Sequence, residues 1–230
     1  MDKIKWIIFA AVAIAGLGLL VVFSNGNKLN VSSVDINKIN TVSDNIDSAK
    51  NGGIADQIYG KIDSKITLLE YGDFQCPPCA QASPIAKNIS EIYKDKIRFV
   101  FRNFPITSAH ANAKTAAAVA EAAGLQGKYW EMHDKIYEGQ TKWSNLGINE
   151  RADFFTNYAK DLGLDVTKFT ADIASKSVGD KISYDYAVGQ KTGVEGTPTF
   201  YLNGKKIDQS VFGDPTKLSE SIEAEIAKNQ

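Results

Sequence analysis

Only two cysteines occur in the 230 residues, and they stand three apart. Cys76 and Cys79 sit in EYGDFQCPPCAQASP with Pro77 and Pro78 between them. With both thiols placed in one Cys-x-x-Cys, none is left to staple distant parts of the chain, so the fold must stand on its hydrophobic core. The prolines narrow the local structure as well. Proline is tolerated in the first turn of a helix, where its missing N–H would be unpaired anyway. The motif therefore reads as the start of a helix, with Cys76 just after a strand.

The flanking elements agree. KITLLEY (65–71) has strand composition and is apolar on both faces, as a central strand is. CAQASPIAKNISEIYK (79–94) places Ile85, Ile89, Ile92 and Tyr93 at helical spacing, and KIRFVFRNF (96–104) alternates as a second strand. Strand, helix and strand in this order make a βαβ unit with a right-handed crossover. A long helical region follows, about 105–191. The pattern then returns to strands in TPTFYLNGKKI (197–207), a hairpin with Asn203-Gly204 at its turn. A last helix spans 214–229, with Asp214 as N-cap and Pro215 at its first position. The order predicts one α/β domain over 59–230 with a helical insertion, and about 170 residues suffice to bury a core without staples.

Two segments precede it. WIIFAAVAIAGLGLLVVF (6–23) is apolar throughout and spans roughly 27 Å as a helix, close to the hydrocarbon thickness of a bilayer. Lys3 and Lys5 before it keep the N-terminus in the cytoplasm. Residues 1–23 thus read as a transmembrane signal anchor; the rival is a cleaved signal peptide, but no clear Ala-x-Ala follows the apolar run. Residues 24–58 are rich in Asn, Ser, Asp and Lys and read as a polar linker, with one short helix around 38–50. The domain would then sit on the extracytoplasmic side of the cell membrane. A net charge of −1, with 23% charged residues and no like-charge run, argues against nucleic acid as a partner.

A Cys-x-x-Cys either supplies half a zinc site or cycles between dithiol and disulfide. Zinc needs two further ligands. The only histidines, His110 and His133, fall on different predicted helices, and His133 shares a face with Trp130, Ile136 and Tyr137, as a core histidine does. Redox chemistry fits better. A helix N-terminus carries partial positive charge and unpaired N–H groups that stabilise a thiolate at Cys76. Cys79, one turn inside, would be the shielded, resolving partner. Pro77 and Pro78 tune the couple by removing two amides near the Cys76 sulfur, which leaves those of Cys79 and Ala80 and predicts a moderate oxidant.

LLEYGDFQCPPC, FRNFPI, AAGLQGKYWEMHDKIY and GVEGTPTF, in this order, resemble the DsbA-like thiol–disulfide oxidoreductases of the thioredoxin superfamily, membrane-anchored bacterial type. The resemblance covers about residues 59–230. It implies a thioredoxin fold with an inserted helical subdomain. It also implies a cis bond at Thr197-Pro198, with Thr197 backbone groups pairing an extended substrate. Glu70 matches a buried acid that assists proton transfer at the buried cysteine, and Pro84 matches a kinking proline of the motif helix.

The expected activity is disulfide formation in exported proteins through a Cys76–Cys79 couple. A quinone-linked membrane reoxidase, a monomeric state and no cofactor or metal go with it. Two departures bear on direction: Pro78 stands where the best-known oxidase of the family has histidine, and Thr197 is a residue seen in branches that isomerise or reduce. Isomerase or reductase action on the same scaffold is the alternative, and a thiolate metal carrier is the alternative from another class.

Overall fold

A computed structural model describes residues 51–229. Its strands, numbered here in chain order, are β1 (Gln57–Gly60), β2 (Thr67–Gly72), β3 (Arg98–Asn103), β4 (Thr199–Leu202) and β5 (Lys205–Lys206). The helices are α1 (Pro77–Ile92), α2 (Ala113–Gly124), α3 (Tyr129–Glu138), α4 (Gln140–Trp143), α5 (Ile148–Asp161), α6 (Val166–Ile173), α7 (Lys176–Lys191), α8 (Gln209–Phe212) and α9 (Pro215–Lys228). The apolar run 6–23 and the short helix expected around 38–50 lie outside the described residues.

One sheet runs in the order β1-β3-β2-β4-β5. β2 and β3 are parallel, in the register Glu70 to Phe101, and are joined by α1, as the βαβ pattern requires. β4 lies antiparallel on the other side of β2, with Phe200 opposite Glu70. All six β2 residues are buried, which explains why KITLLEY is apolar on both faces. At the β4–β5 turn Asn203 (φ 46°) and Gly204 (φ 80°) both take left-handed conformations, the pattern of a two-residue hairpin turn. Asp214 caps α9, accepting from the amides of Thr216 and Lys217.

Helices α2 to α7 form the insertion between β3 and β4. Its Ala-rich α2 is nearly all buried, because small side chains let α3, α6 and α7 approach closely. On α1, Ala82, Ala86 and Ile89 face the core, as does Tyr93 just past its end, but Ile92 is 63% exposed. The helical spacing had assigned Ile92 to the buried face; the helix ends there and leaves it on the solvent side.

The folded domain starts earlier than residue 59. Asn51, Ile54 and Asp56 are buried, and Gln57–Gly60 pair with β3. The polar linker expected over 24–58 therefore gives way to the domain by Asn51. Asp56 ties this segment to the domain. Its carboxylate accepts from Arg102 (2.7 Å) and Lys181 (2.9 Å), and Lys181 also binds Asp185 at 2.7 Å, all nearly inaccessible to solvent. The Arg102 and Lys181 charges outweigh desolvation and hold Asp56 well below the usual carboxylate range. Asn103 links Asp185 to Glu121 in the same interior. Burial pushes Glu121 up to about 7. Three carboxyls thus share two cations, and burial raises Asp185 as well.

Candidate functional site

Cys76 is the N-cap of α1, and Pro77 and Pro78 open the helix. Both cysteines are free thiols, Cys76 5% exposed and Cys79 fully buried. The loop before the helix is a tight turn, closed by the Cys76 amide donating to the Asp73 carbonyl (3.0 Å). The buried Asp73 carboxylate in turn accepts from the amides of Gln75 and Ile106, both at 2.8 Å, and meets His110 Nδ1 at 2.8 Å.

Opposite the motif, the Thr197–Pro198 peptide bond is cis. Cys76 Sγ lies 3.4 Å from the Thr197 carbonyl oxygen, and the Thr197 hydroxyl is buried without a partner. The Cys76 thiol is pushed down to about 6, first by the hydrogen bond from the Cys79 thiol, then by Thr197 and the Cys79 amide. Burial and the Asp73 charge oppose this. Activated Cys-x-x-Cys thiols range from about 3.5 upward to about 7, so Cys76 stands toward the milder end. Of the two amides expected near the sulfur, only that of Cys79 serves it; the Ala80 amide donates to the Cys76 carbonyl (3.2 Å).

Burial raises the Cys79 thiol far above its ordinary range, reinforced by the Cys76 sulfur and by Glu70. Glu70, on β2, is 1% exposed, and neither carboxyl oxygen has a hydrogen-bond partner. Desolvation, with the Cys76 charge second, pushes it up to about 8. No cation pairs with it among the described residues. At neutral pH the site thus holds three groups: a stabilised thiolate, a protonated buried thiol and a protonated carboxyl. Such a set has the chemistry to exchange disulfides at Cys76 and to pass a proton at Cys79.

Beside the motif runs a groove of about 640 Å³, lined by Pro78, Gln81, Ile85, Thr197, Pro198 and Phe212 among others. Phe212 of α8 stacks on Phe200 and closes its far wall. Its place beside the cis-proline loop suits an extended peptide. Pro84 lies inside α1, behind the motif. His133 is 3% exposed, packed among Phe74, Phe101, Trp130 and Tyr137, and burial lowers its pKa.

Sequence reasoning missed the residues that hold the loop from the insertion. Gln140 Nε2 donates to the carbonyls of both Phe74 (2.8 Å) and Cys76 (2.9 Å). Gln75 accepts from the Asn112 amide and donates to the Ser144 carbonyl. His110 binds Asp73 beneath the loop. None of these carries a local pattern; their partners are up to 69 residues away.

A family model described as Thioredoxin matches residues 53–224. The oxidised BdbD crystal structure from Bacillus subtilis superposes with a TM-score of 0.65 at 24% identity, covering 75% of this chain and 93% of that one. α-DsbA1 from Wolbachia pipientis gives 0.63 at 20% identity, covering 75% and 92%. These two likenesses are of fold. In sequence, a protein of Salinispora arenicola described as Na(+)/H(+) antiporter NhaA 1 is 36% identical over 153 residues, 66% of this chain and 22% of that protein. The chain spans about a quarter of the length of the curated relatives it matches.

Proposed function

Because the chain belongs to the thioredoxin family, we propose that it is an extracytoplasmic thiol–disulfide oxidoreductase that forms disulfides in exported proteins through the Cys76–Cys79 couple. One observation carries the proposal: a thiol brought down to about 6 at a helix N-terminus, facing the cis-proline loop and backed by a buried thiol and a buried acid. The DsbA and BdbD structures of like fold, and the antiporter relatives, do not by themselves extend their activities to it.

In the oxidised form a substrate thiolate attacks Cys76 Sγ and breaks the Cys76–Cys79 bond. Cys79 leaves with the electron pair and takes a proton, which Glu70 is placed and protonated to supply. A second substrate thiolate then attacks the substrate sulfur of the mixed disulfide and releases Cys76 as a thiolate. The substrate has lost two electrons and the couple has gained them. Stabilisation of Cys76 makes it the better leaving group and drives the reaction toward substrate oxidation. Thr197 offers backbone groups to an extended substrate, as in strand addition, and the groove beside Pro198 receives its side chains.

Residues 6–23 anchor the domain to the cell membrane, and 24–50 hold it off the surface. A quinone-linked membrane protein reoxidises the couple, and the chain acts as a monomer. Alkylation trapping in cells tests the direction. An oxidase rests with Cys76 and Cys79 largely disulfide-bonded; a wholly reduced couple would instead assign reductase or isomerase work, the reading that Thr197 favours.

A further inference from the structure

The Cys-Pro-Pro-Cys motif creates a hydrogen-bonding deficit that the rest of the molecule must meet. The Phe74 carbonyl is buried, and the amides three and four residues further on, which close a turn or a helix, belong to Pro77 and Pro78 and do not exist. The Cys76 carbonyl has the Ala80 amide at 3.2 Å, a long bond. Both carbonyls belong to the short loop that carries the reactive sulfur, and each meets the buried Gln140 side chain in an interior of low dielectric. A single side chain answers both. Gln140, the first residue of α4, is 7% exposed and directs Nε2 to the Phe74 oxygen at 2.8 Å and the Cys76 oxygen at 2.9 Å.

We propose that Gln140 is a positioning residue for the redox couple: its carboxamide replaces the donors that the two prolines remove, fixes the Cys76 backbone toward Thr197, and offsets the carbonyl charge that would oppose a thiolate at Cys76. The helical insertion thereby sets the oxidising strength of a motif it does not contain. This rests on the redox reading above. A carboxamide suits the task because its two N–H bonds diverge to two acceptors; a carboxylate presents only acceptors, and a thioether has no donor.

The neighbouring Gln75 supplies an internal comparison. It too joins loop to insertion, with its Nε2 on the Ser144 carbonyl (3.0 Å) and its oxygen on the Asn112 amide (2.7 Å), but it contacts neither of those two carbonyls. A merely structural role would make the two glutamines alike.

The test measures Cys76 thiolate absorbance against pH, and the glutathione equilibrium of the couple, in the parent chain and in Gln140→Met, Gln140→Glu and Gln75→Met. The expected result is a roughly tenfold weaker oxidant with an upward-shifted titration in Gln140→Met, a larger shift in Gln140→Glu above the carboxyl's own titration, and near-parental values in Gln75→Met, whatever each loses in melting temperature. Equal titrations in folded Gln140→Met and parent overturn the proposal, as do equal shifts in both Met variants. If Gln140→Met does not fold, the side-chain amide resonances of Gln140 in the parent decide. Redox-dependent shifts support the role; identical resonances in dithiol and disulfide forms overturn it. A parent that shows no disulfide equilibrium at all refutes the redox reading itself, which the same titration reveals separately.

Discussion

Cys76 Sγ and the carbonyl oxygen of Thr197 lie 3.4 Å apart, joined across 121 residues by the cis-proline loop. In the dithiol the thiol donates to that carbonyl. Once Cys76 ionises, the sulfur becomes an acceptor, and the buried, unpartnered Thr197 hydroxyl is the donor at hand. Thr197→Val keeps the β-branched shape and removes only this donor. The Cys76 titration should rise from about 6 by roughly one unit, and the couple should become roughly tenfold less oxidising. Thiolate absorbance against pH measures the first and equilibration with glutathione the second.

The same thiolate makes stability depend on redox state. Folding lowers Cys76 from 9.0 to about 6. A group depressed in this way adds stability that is full above pH 9.0 and is lost as pH falls through 6. The disulfide form has no such thiolate. Urea unfolding of both forms should therefore show the reduced form gaining on the oxidised one as pH rises from 6 toward 8. At pH 5 that gain should be absent.

Glu70 supports a separate prediction about rate. Desolvation holds its carboxyl at about 8, so at neutral pH it carries a proton beside a leaving group that needs one. Glu70→Gln preserves shape and neutrality but cannot release a proton. Reduction of the Cys76–Cys79 disulfide by a model peptide, followed by stopped-flow fluorescence, should slow by at least about tenfold, toward the hundredfold typical of a lost general acid. The sign of the stability effect also follows. A carboxyl raised from 4.5 to about 8 penalises the folded state increasingly as pH rises through that window. Glu70→Gln should then be more stable than the parent at pH 9 and little changed at pH 4.

The parts of this molecule that were legible in sequence are those with local signatures. β2 shows as a continuous apolar run, the motif helix by its proline-opened start, the hairpin by Asn203-Gly204, and α9 by Asp214-Pro215. Thr197 and Glu70 needed family resemblance, because an X-Pro dipeptide or a strand-end acid is by itself ambiguous. The illegible parts are long-range polar contacts. Asp56 looks like one more acid in a Ser- and Asn-rich stretch until Arg102, 46 residues away, and Lys181, 125 away, close on it. Gln140 looks like a turn residue between helices until its carboxamide is seen to bridge Phe74 and Cys76. Side-chain partners so distant leave no periodicity for a sequence to display.

Lys181 ties α7 of the insertion to the segment before β1. Its ammonium lies between Asp56 (2.9 Å) and Asp185 (2.7 Å) and is 1% exposed. Lys181→Met keeps the stem's volume and leaves two buried carboxylates sharing Arg102. Breaking such a network from one side costs about 3–5 kcal/mol. Urea titration should register that loss, and adding Asp185→Asn should recover part of it. The recovery is incomplete because Asp185 also accepts from the Asn103 amide and carboxamide.

The domain boundary at Asn51 is testable in the same terms. A chain beginning at residue 51 retains Ile54 in the core, Asp56 on its two cations and β1 on β3. A chain beginning at residue 59 loses Ile54, Asp56 and the first half of β1, and Arg102 and Lys181 lose their shared carboxylate, so it should be less stable by at least about 3–5 kcal/mol. A point substitution separates packing from chain length. Gly52 has φ +68°, and a Cβ there would sit 2.1 Å from the Ser177 carbonyl oxygen of α7. Because backbone meets backbone, no side-chain rotation relieves the overlap. Gly52→Ala should cost about 1–3 kcal/mol in urea unfolding. Equal midpoints for Gly52→Ala, the 59-start chain and the parent would mean that residues 51–58 contribute nothing to folding, and that the boundary belongs where the polar composition first suggested.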